Sequence, residues 1–259
     1  MSKQDLLIQL EETILTLTLN RPERLNAFSP DMILGLTNAI QEAGTNPDVR
    51  VIVLSGAGRS FSAGGDVKTM GESGAVQVYE HIGRLNELIV TMKDCEKPII
   101  AAVHGFAAGA GFNLALACDL IIASEDSQFA LSFSQVGLIS DGGGSFHLPR
   151  LIGPHLAKQF FFSAEAIPAK RLYELGVINH LVPLEKLQEE VGKYAAKLAH
   201  GPGKAYAMQK KLIDHSLTAT LEEILEQERI TQTMMVQTED HQEGIVAFKE
   251  KKKPAFKGK

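Results

Sequence analysis

The sequence predicts an α/β fold built in layers, followed by a helical C-terminal extension. Short, continuously apolar runs alternate with amphipathic helical stretches through the first half of the chain. Two of these runs end in Gly/Ala-rich turns, Ser55 to Val67 and Gly105 to Gly111. Beyond Asp141 the pattern becomes mainly helical. The 259 residues can bury one large core, or a core with an appendage, and 44% hydrophobic with 22% charged residues is ordinary globular composition. Residues 1–200 are expected to form the core and residues 201–259 the helical extension.

Asp5 to Leu10 and Thr13 to Leu19 alternate as paired strands around Glu11–Glu12, with Leu15, Leu17 and Leu19 on one face. Pro22 ends the pattern because it has no ladder donor. Ser29-Pro30 reads as an N-cap and first helical residue; Ile33, Leu36 and Ile40 share a face, and Gly44 suits the helix end. Val49 to Leu54 is too continuously apolar to be half exposed. Ala75 to Lys93 carries Val78, Ile82, Leu85, Ile89 and Met92 at helical spacing. Pro98 then precedes a strand, Ile99 to Val103, and the helix after the second turn is expected from Asn113 to Cys118. Two short apolar runs lead to Asp141. His155 to Phe162, Ala169 to Leu175, Leu184 to His200, Gly203 to Ser216 and Leu221 to Phe248 read as helices, separated by Pro168, Pro183 and Gly201-Pro202.

The bulk properties exclude several classes of function. A net charge of −5 argues against a general nucleic-acid binder. No apolar run is long enough for a membrane span, and MSKQDLLIQL lacks a signal-peptide pattern, so a cytoplasmic protein is expected. Cys95 and Cys118 have apolar surroundings and no metal-ligand spacing; both read as buried free thiols. No phosphate loop or nucleophile elbow is present. The tail KEKKKPAFKGK is basic, either a solvated tail or an aid to holding a phosphorylated ligand.

The chemistry concentrates between Lys97 and Asp141. A strand feeding a glycine turn at a helix N-terminus can bare backbone N–H groups to negative charge. Asp141 follows on a loop of three glycines. An anion-stabilising turn and a carboxylate are two parts of a proton-transfer site.

SFSAGGDV and HGFAAGAGFNLALACD, in this order, resemble the crotonase (enoyl-CoA hydratase/isomerase) superfamily. The likeness continues through NRPERLNAF, FSQVGLISDGGGSFHLPRLIG and AFKEKKKPAFKGK, over essentially the whole chain. It implies a spiral of ββα units and a helical C-terminal trimerisation region. The substrate would be an acyl-coenzyme A thioester, with no further cofactor or metal, and the assembly a homotrimer or dimer of trimers, without nucleic-acid or membrane partners. It makes the amides of Gly65 and Ala110 an oxyanion hole for the thioester carbonyl; removing such a donor costs about 3 kcal/mol of barrier. Arg24, Leu25 and Ala27 match the segment along the nucleotide, Ala63 and Asp66 flank the adenine position, and Phe248 and Lys251 match a part that reaches a neighbouring subunit's ligand.

The departures point to the reaction. Family hydratases position water with two glutamates, and the matching residues here are Asn113 and Phe133, neither of which can activate water. Asp141 matches the acid/base carboxylate of several enoyl-CoA isomerases, and its segment resembles the ring-type isomerases of phenylacetate degradation. A lone carboxylate beside Phe133 and Leu138 would serve a double-bond shift, its basicity raised by burial. Its bland alternative is to cap the helix that begins near Gly143. His147 and Glu165 are further candidates, and His104 reads as structural. Competing readings are a hydratase with atypical catalytic residues, or a non-catalytic acyl-CoA-binding subunit. Nucleophilic attack as in 4-chlorobenzoyl-CoA dehalogenase is a weaker fit, since that enzyme uses a Trp and this chain has none.

Overall fold

The structure, a computed structural model, describes residues 4–66 and 74–259; Val67, the last residue of the first glycine turn, lies outside them. The N-terminal pair forms as expected: β1 (Leu6–Glu11) and β2 (Ile14–Leu19) are antiparallel, turning at Glu12 with φ 51°. Helix α1 (Pro30–Thr45) starts where Ser29 Oγ accepts from the Met32 amide at 3.1 Å. It runs past Gly44 and stops at Asn46, so Gly44 is not its terminator.

The remaining core repeats one path three times. β3 (Val51–Gly56) leads to a bridge at Ser62 and then to α2 (Ala75–Asp94). β4 (Ile99–Val103) leads to β5 (Phe106–Ala108) and α3 (Ala110–Ala117). β6 (Leu120–Ser124) leads to β7 (Gln128–Ala130) and, past Asp141, to α4 (Gly144–Ile152). The first strand of each turn joins a six-stranded sheet, the second approaches or joins a three-stranded one, and the helix closes the coil. This is the ββα spiral. The helices α5 (Pro154–Ser163) and α6 (Ala169–Glu174) flank the two-residue strand β8 (Ile167–Pro168), and β9 (His180–Val182) follows. The large sheet runs β1-β2-β3-β4-β6-β9, parallel from β2 onward, and the small one β5-β7-β8.

Both faces of the large sheet are covered, which is why its strands are apolar throughout. Ile52, Leu54, Ala101 and Val103 pack into the main core with α1 to α3. Val51, Val53, Ile100 and Ile122 pack beneath Leu187, Val191 and Ala195 of α7 (Leu187–Ala199). Only the C-terminal half of α2 joins the core: Leu85, Leu88, Ile89 and Met92 are buried, whereas Val78 is exposed and Ile82 half-buried.

The C-terminal helices α8 (Gly203–Ser216), α9 (Leu221–Met235) and α10 (Glu239–Glu250) correct one expectation. Leu221 to Phe248 is not one helix; it breaks at Val236–Thr238, where Thr238 Oγ1 caps α10 by accepting from His241. The extension is fastened to the core through charge. Lys210 Nζ donates to Asp119 Oδ2 at 3.0 Å and to the Met92 carbonyl at 3.1 Å. The same Asp119 oxygen accepts the Ile99 amide. Burial pushes the Asp119 carboxyl up, and Lys210 opposes that shift. Asp240, 4% exposed, accepts the amides of Lys257 and Gly258, which folds the basic tail back onto α10.

Candidate active site

The two glycine turns are laced together. Ser62 and Ala107 form a parallel bridge, the Ala108 amide donates to the Ser62 carbonyl at 2.8 Å, and the Gly109 amide donates to Ala130. Gly64 holds φ +78°, and a methyl on it would lie 2.7 Å from the Ala110 nitrogen and 2.9 Å from the Gly111 nitrogen. Only glycine permits both this backbone and this approach. The first turn thus abuts the N-terminus of α3. No side chain caps that helix, and among the described residues no backbone carbonyl takes the amide of Gly65 or Ala110. Two amides on adjoining turns, one at a helix start, suit a developing oxyanion.

The N-terminal loop is stapled beneath these turns by Asn26, a residue outside the sequence-predicted site. Asn26 is fully buried at φ 55°; its Nδ2 reaches the carbonyls of Ala57, Ser60 and Phe61, and its Oδ1 accepts the Arg21 amide. Ser62 Oγ donates to the Asn26 carbonyl at 2.8 Å and accepts the Gly64 amide. Arg24, Leu25, Ala27, Ala63 and Asp66 are therefore brought together: Ala63 donates to the Leu25 carbonyl, and Asp66 lies 3.5 Å from Arg21 and 3.9 Å from Arg24. The one available signal for Asn26 was a polar turn residue inside NRPERLNAF.

Asp141 lies on the loop before α4, and the capping role does not hold. The N-cap of α4 is Gly143, and no side chain bonds to the helix amides. Instead Asp141 Oδ1 is buried without a hydrogen-bond partner among the described residues. Burial pushes the carboxyl up to about 6, opposed by its own backbone amide, and no charged group among the described residues contributes. Asn113, fully buried on the first turn of α3, donates through Nδ2 to the Asp141 carbonyl at 2.8 Å and to Ser140 Oγ at 3.0 Å. Its side-chain amide is thus engaged with the Asp141 loop. Phe133 stands beside the second turn, its ring 3.6 Å from where a methyl on Gly109 would be. Leu138 is not a buried neighbour; it is 51% exposed on the loop between Phe133 and Asp141.

The remaining candidates lie elsewhere or serve structure. His147 packs its ring on Gly143, and burial, with Lys93 next, pulls it down to about 4. It lines a cleft of about 470 Å³ with Lys93, Cys118, Asp119, Lys210 and Asp214, which includes neither Asp141 nor the two glycine turns. His104 Nε2 lies 2.9 Å from the Gly58 carbonyl. Glu165 is exposed between α5 and β8. Phe248 is 87% exposed on α10, and Lys251 is its left-handed C-cap. Cys95 and Cys118 are free and buried, and burial raises both thiols. Among the described residues no three His, Cys, Asp or Glu cluster as a metal site, and no helix is long and apolar enough to cross a membrane.

Similarity to known proteins agrees with this architecture. The family model for enoyl-CoA hydratase/isomerase matches residues 9–259. The chain is 36% identical to the 1,2-epoxyphenylacetyl-CoA isomerase of Escherichia coli K12, over 98% of both chains. It is 33% identical to the 2,3-dehydroadipyl-CoA hydratase of the same organism, over 98% of this chain and 99% of the other. The solved enoyl-CoA hydratase of Bacillus anthracis superposes with a TM-score of 0.95 at 30% identity, covering 99% of this chain and all of that one. On the spiral, the paired turns and a match over nearly its whole length, the chain belongs to the enoyl-CoA hydratase/isomerase family.

Proposed function

We propose that this protein is an enoyl-CoA isomerase that shifts a carbon–carbon double bond, or rearranges a ring, beside the thioester. The observation that carries this reading is the Asp141 carboxyl, its Oδ1 buried, raised by burial and with no charged neighbour among the described residues. Ionised, it takes a proton from the carbon next to the thioester. The amides of Gly65 and Ala110 hold the resulting dienolate, and the protonated acid returns the proton to the γ-carbon. No net proton, electron or water is consumed. Phe133 beside Gly109 excludes water and favours proton return over hydration. The resemblance of the Asp141 segment to isomerases, and a relative named an isomerase, support the same choice.

Arg24, Leu25, Ala27, Ala63 and Asp66 hold the coenzyme A portion, with Phe248 and Lys251 supplied to a neighbouring subunit's ligand. Residues 201–259 form the trimerisation region of a homotrimer or dimer of trimers in the cytoplasm. The exposed Leu221, Leu225 and Met234 of α9 suit such an interface.

The test is a paired assay in heavy water with a trans-3-enoyl-CoA and crotonyl-CoA. Fast conjugation with deuterium entering the α or γ carbon, and negligible hydration, is the expected outcome. Brisk hydration of crotonyl-CoA would overturn the isomerase reading. That hydratase alternative draws on relatives named hydratases at comparable identity.

A further inference from the structure

We propose that Asn113 is a positioning residue: its side-chain amide fixes the Asp141 loop to the helix turn that carries the Ala110 amide. The inference rests on the reading of Asp141 as the base. Asn113 stands where the family's hydratases carry a glutamate, and the structure gives the asparagine a different task. Its backbone N–H donates to the Gly109 carbonyl at 3.2 Å, within the turn that begins with Ala110. Both hydrogens of its Nδ2 are spent on the loop, one on the Asp141 carbonyl at 2.8 Å and one on Ser140 Oγ at 3.0 Å. The amide cannot be turned round, since its oxygen would then face the Asp141 carbonyl oxygen, an acceptor against an acceptor.

Two further observations say that the fit is specific. Among the described residues Asn113 Oδ1 is buried without a partner, an arrangement that costs stability and that an apolar residue would avoid. The chain beside it has no spare room: a methyl on Gly144 would overlap the Asn113 oxygen and the Ser140 hydroxyl. The distance between oxyanion donor and base is therefore set through one side chain of two short donors. Alanine and leucine lack the donors, and aspartate has one only while protonated.

The experiment follows conversion of trans-3-hexenoyl-CoA by the full chain and by Asn113→Ala, Asn113→Asp and Asp141→Asn, with Tm recorded for each. Asn113→Ala is expected to lower kcat about 10²-fold, the cost of misplacing a reacting group, while KM stays within about twofold. Near pH 5 Asn113→Asp should turn over about tenfold faster than Asn113→Ala at the same pH, where protonation of Asp141 slows both alike, and should lose that lead as pH rises, because only its neutral acid donates to the Asp141 carbonyl. Unchanged kcat in Asn113→Ala beside an inactive Asp141→Asn overturns the positioning role alone. So does a joint change of kcat and KM that tracks Tm and that Asn113→Asp leaves unrescued. Full turnover in Asp141→Asn, or none in the unmodified chain, overturns the base reading and this inference with it.

Discussion

Asp119 and Asp141 are both carboxylates pushed up by burial, and they are built in opposite ways. Asp119 is surrounded by donors: one oxygen takes the Ile99 amide and the Lys210 ammonium together. The pair joins α8 to the start of β4 and locks the C-terminal helices onto the core. Among the described residues, Asp141 has one oxygen with no partner and no cation near enough to stabilise its charge. A satisfied buried carboxylate holds parts together; one left short of partners keeps its reactivity for something that arrives later. In the same chain, burial serves stability at one site and proton affinity at the other.

The largest effect that could break this contrast is on turnover. Asp141→Asn should lower kcat by 10² to about 10⁴-fold with coenzyme A binding retained, read by steady-state kinetics alongside ligand titration. An equally damaging Asp119→Asn, at a temperature where the variant remains folded, would erase the distinction. Next comes stability at the paired site. Lys210→Met leaves Asp119 buried and uncompensated, and should cost about 3 kcal/mol in denaturant unfolding without changing KM. A loss below about 1 kcal/mol would mean that the charge pair fastens little.

A third expectation uses the sign of the shift at Asp141. Its folded carboxyl titrates near 6, above the unfolded 3.8, so the folded state holds more protons between these values. Its ionisation therefore removes stability as pH rises through that window. Asp141→Asn should be the more stable protein at pH 7, by about 3 kcal/mol, and should lose that advantage toward pH 4. Thermal melts across this range check it, and an advantage that grows on acidification would contradict the burial argument. In the unmodified enzyme kcat should fall below about pH 6, where the base becomes protonated. The smallest effect concerns Asp240, a satisfied carboxylate like Asp119 but bonded only to amides. Asp240→Asn should cost about 1 kcal/mol and free the tail, seen as faster amide exchange at Lys257 and Gly258.

Much of the fold was legible because local chemistry and tertiary need agree. Ser29-Pro30 starts α1, and the continuous apolar strands report a sheet covered on both faces. The break at Thr238 was missed although Thr238-Glu239-Asp240 is a helix start, because apolar periodicity on either side conceals a change of axis. Strand β5 was read as part of a turn, since Phe106–Ala108 is short and its pairing is entirely with distant residues. At the site, Asp141 and the two turns were legible through resemblance. Asn26 was not, because an asparagine in a loop carries no local sign that four polar contacts will bury it. Asn113 was read as a lost glutamate. Its task became visible only when a loop from the next coil was placed against it.

The order of strands in the large sheet has a consequence for how the protein is made. From β1 to β9 each new strand is laid at the growing edge, beside the strand of that sheet that preceded it in the chain. A ribosome delivering this sequence can therefore extend the sheet vectorially, without reopening any pair already closed. Both glycine turns have emerged once α3 has, one coil before the Asp141 loop. Synthesis thus delivers the two turns before the carboxylate that faces them in the proposed site.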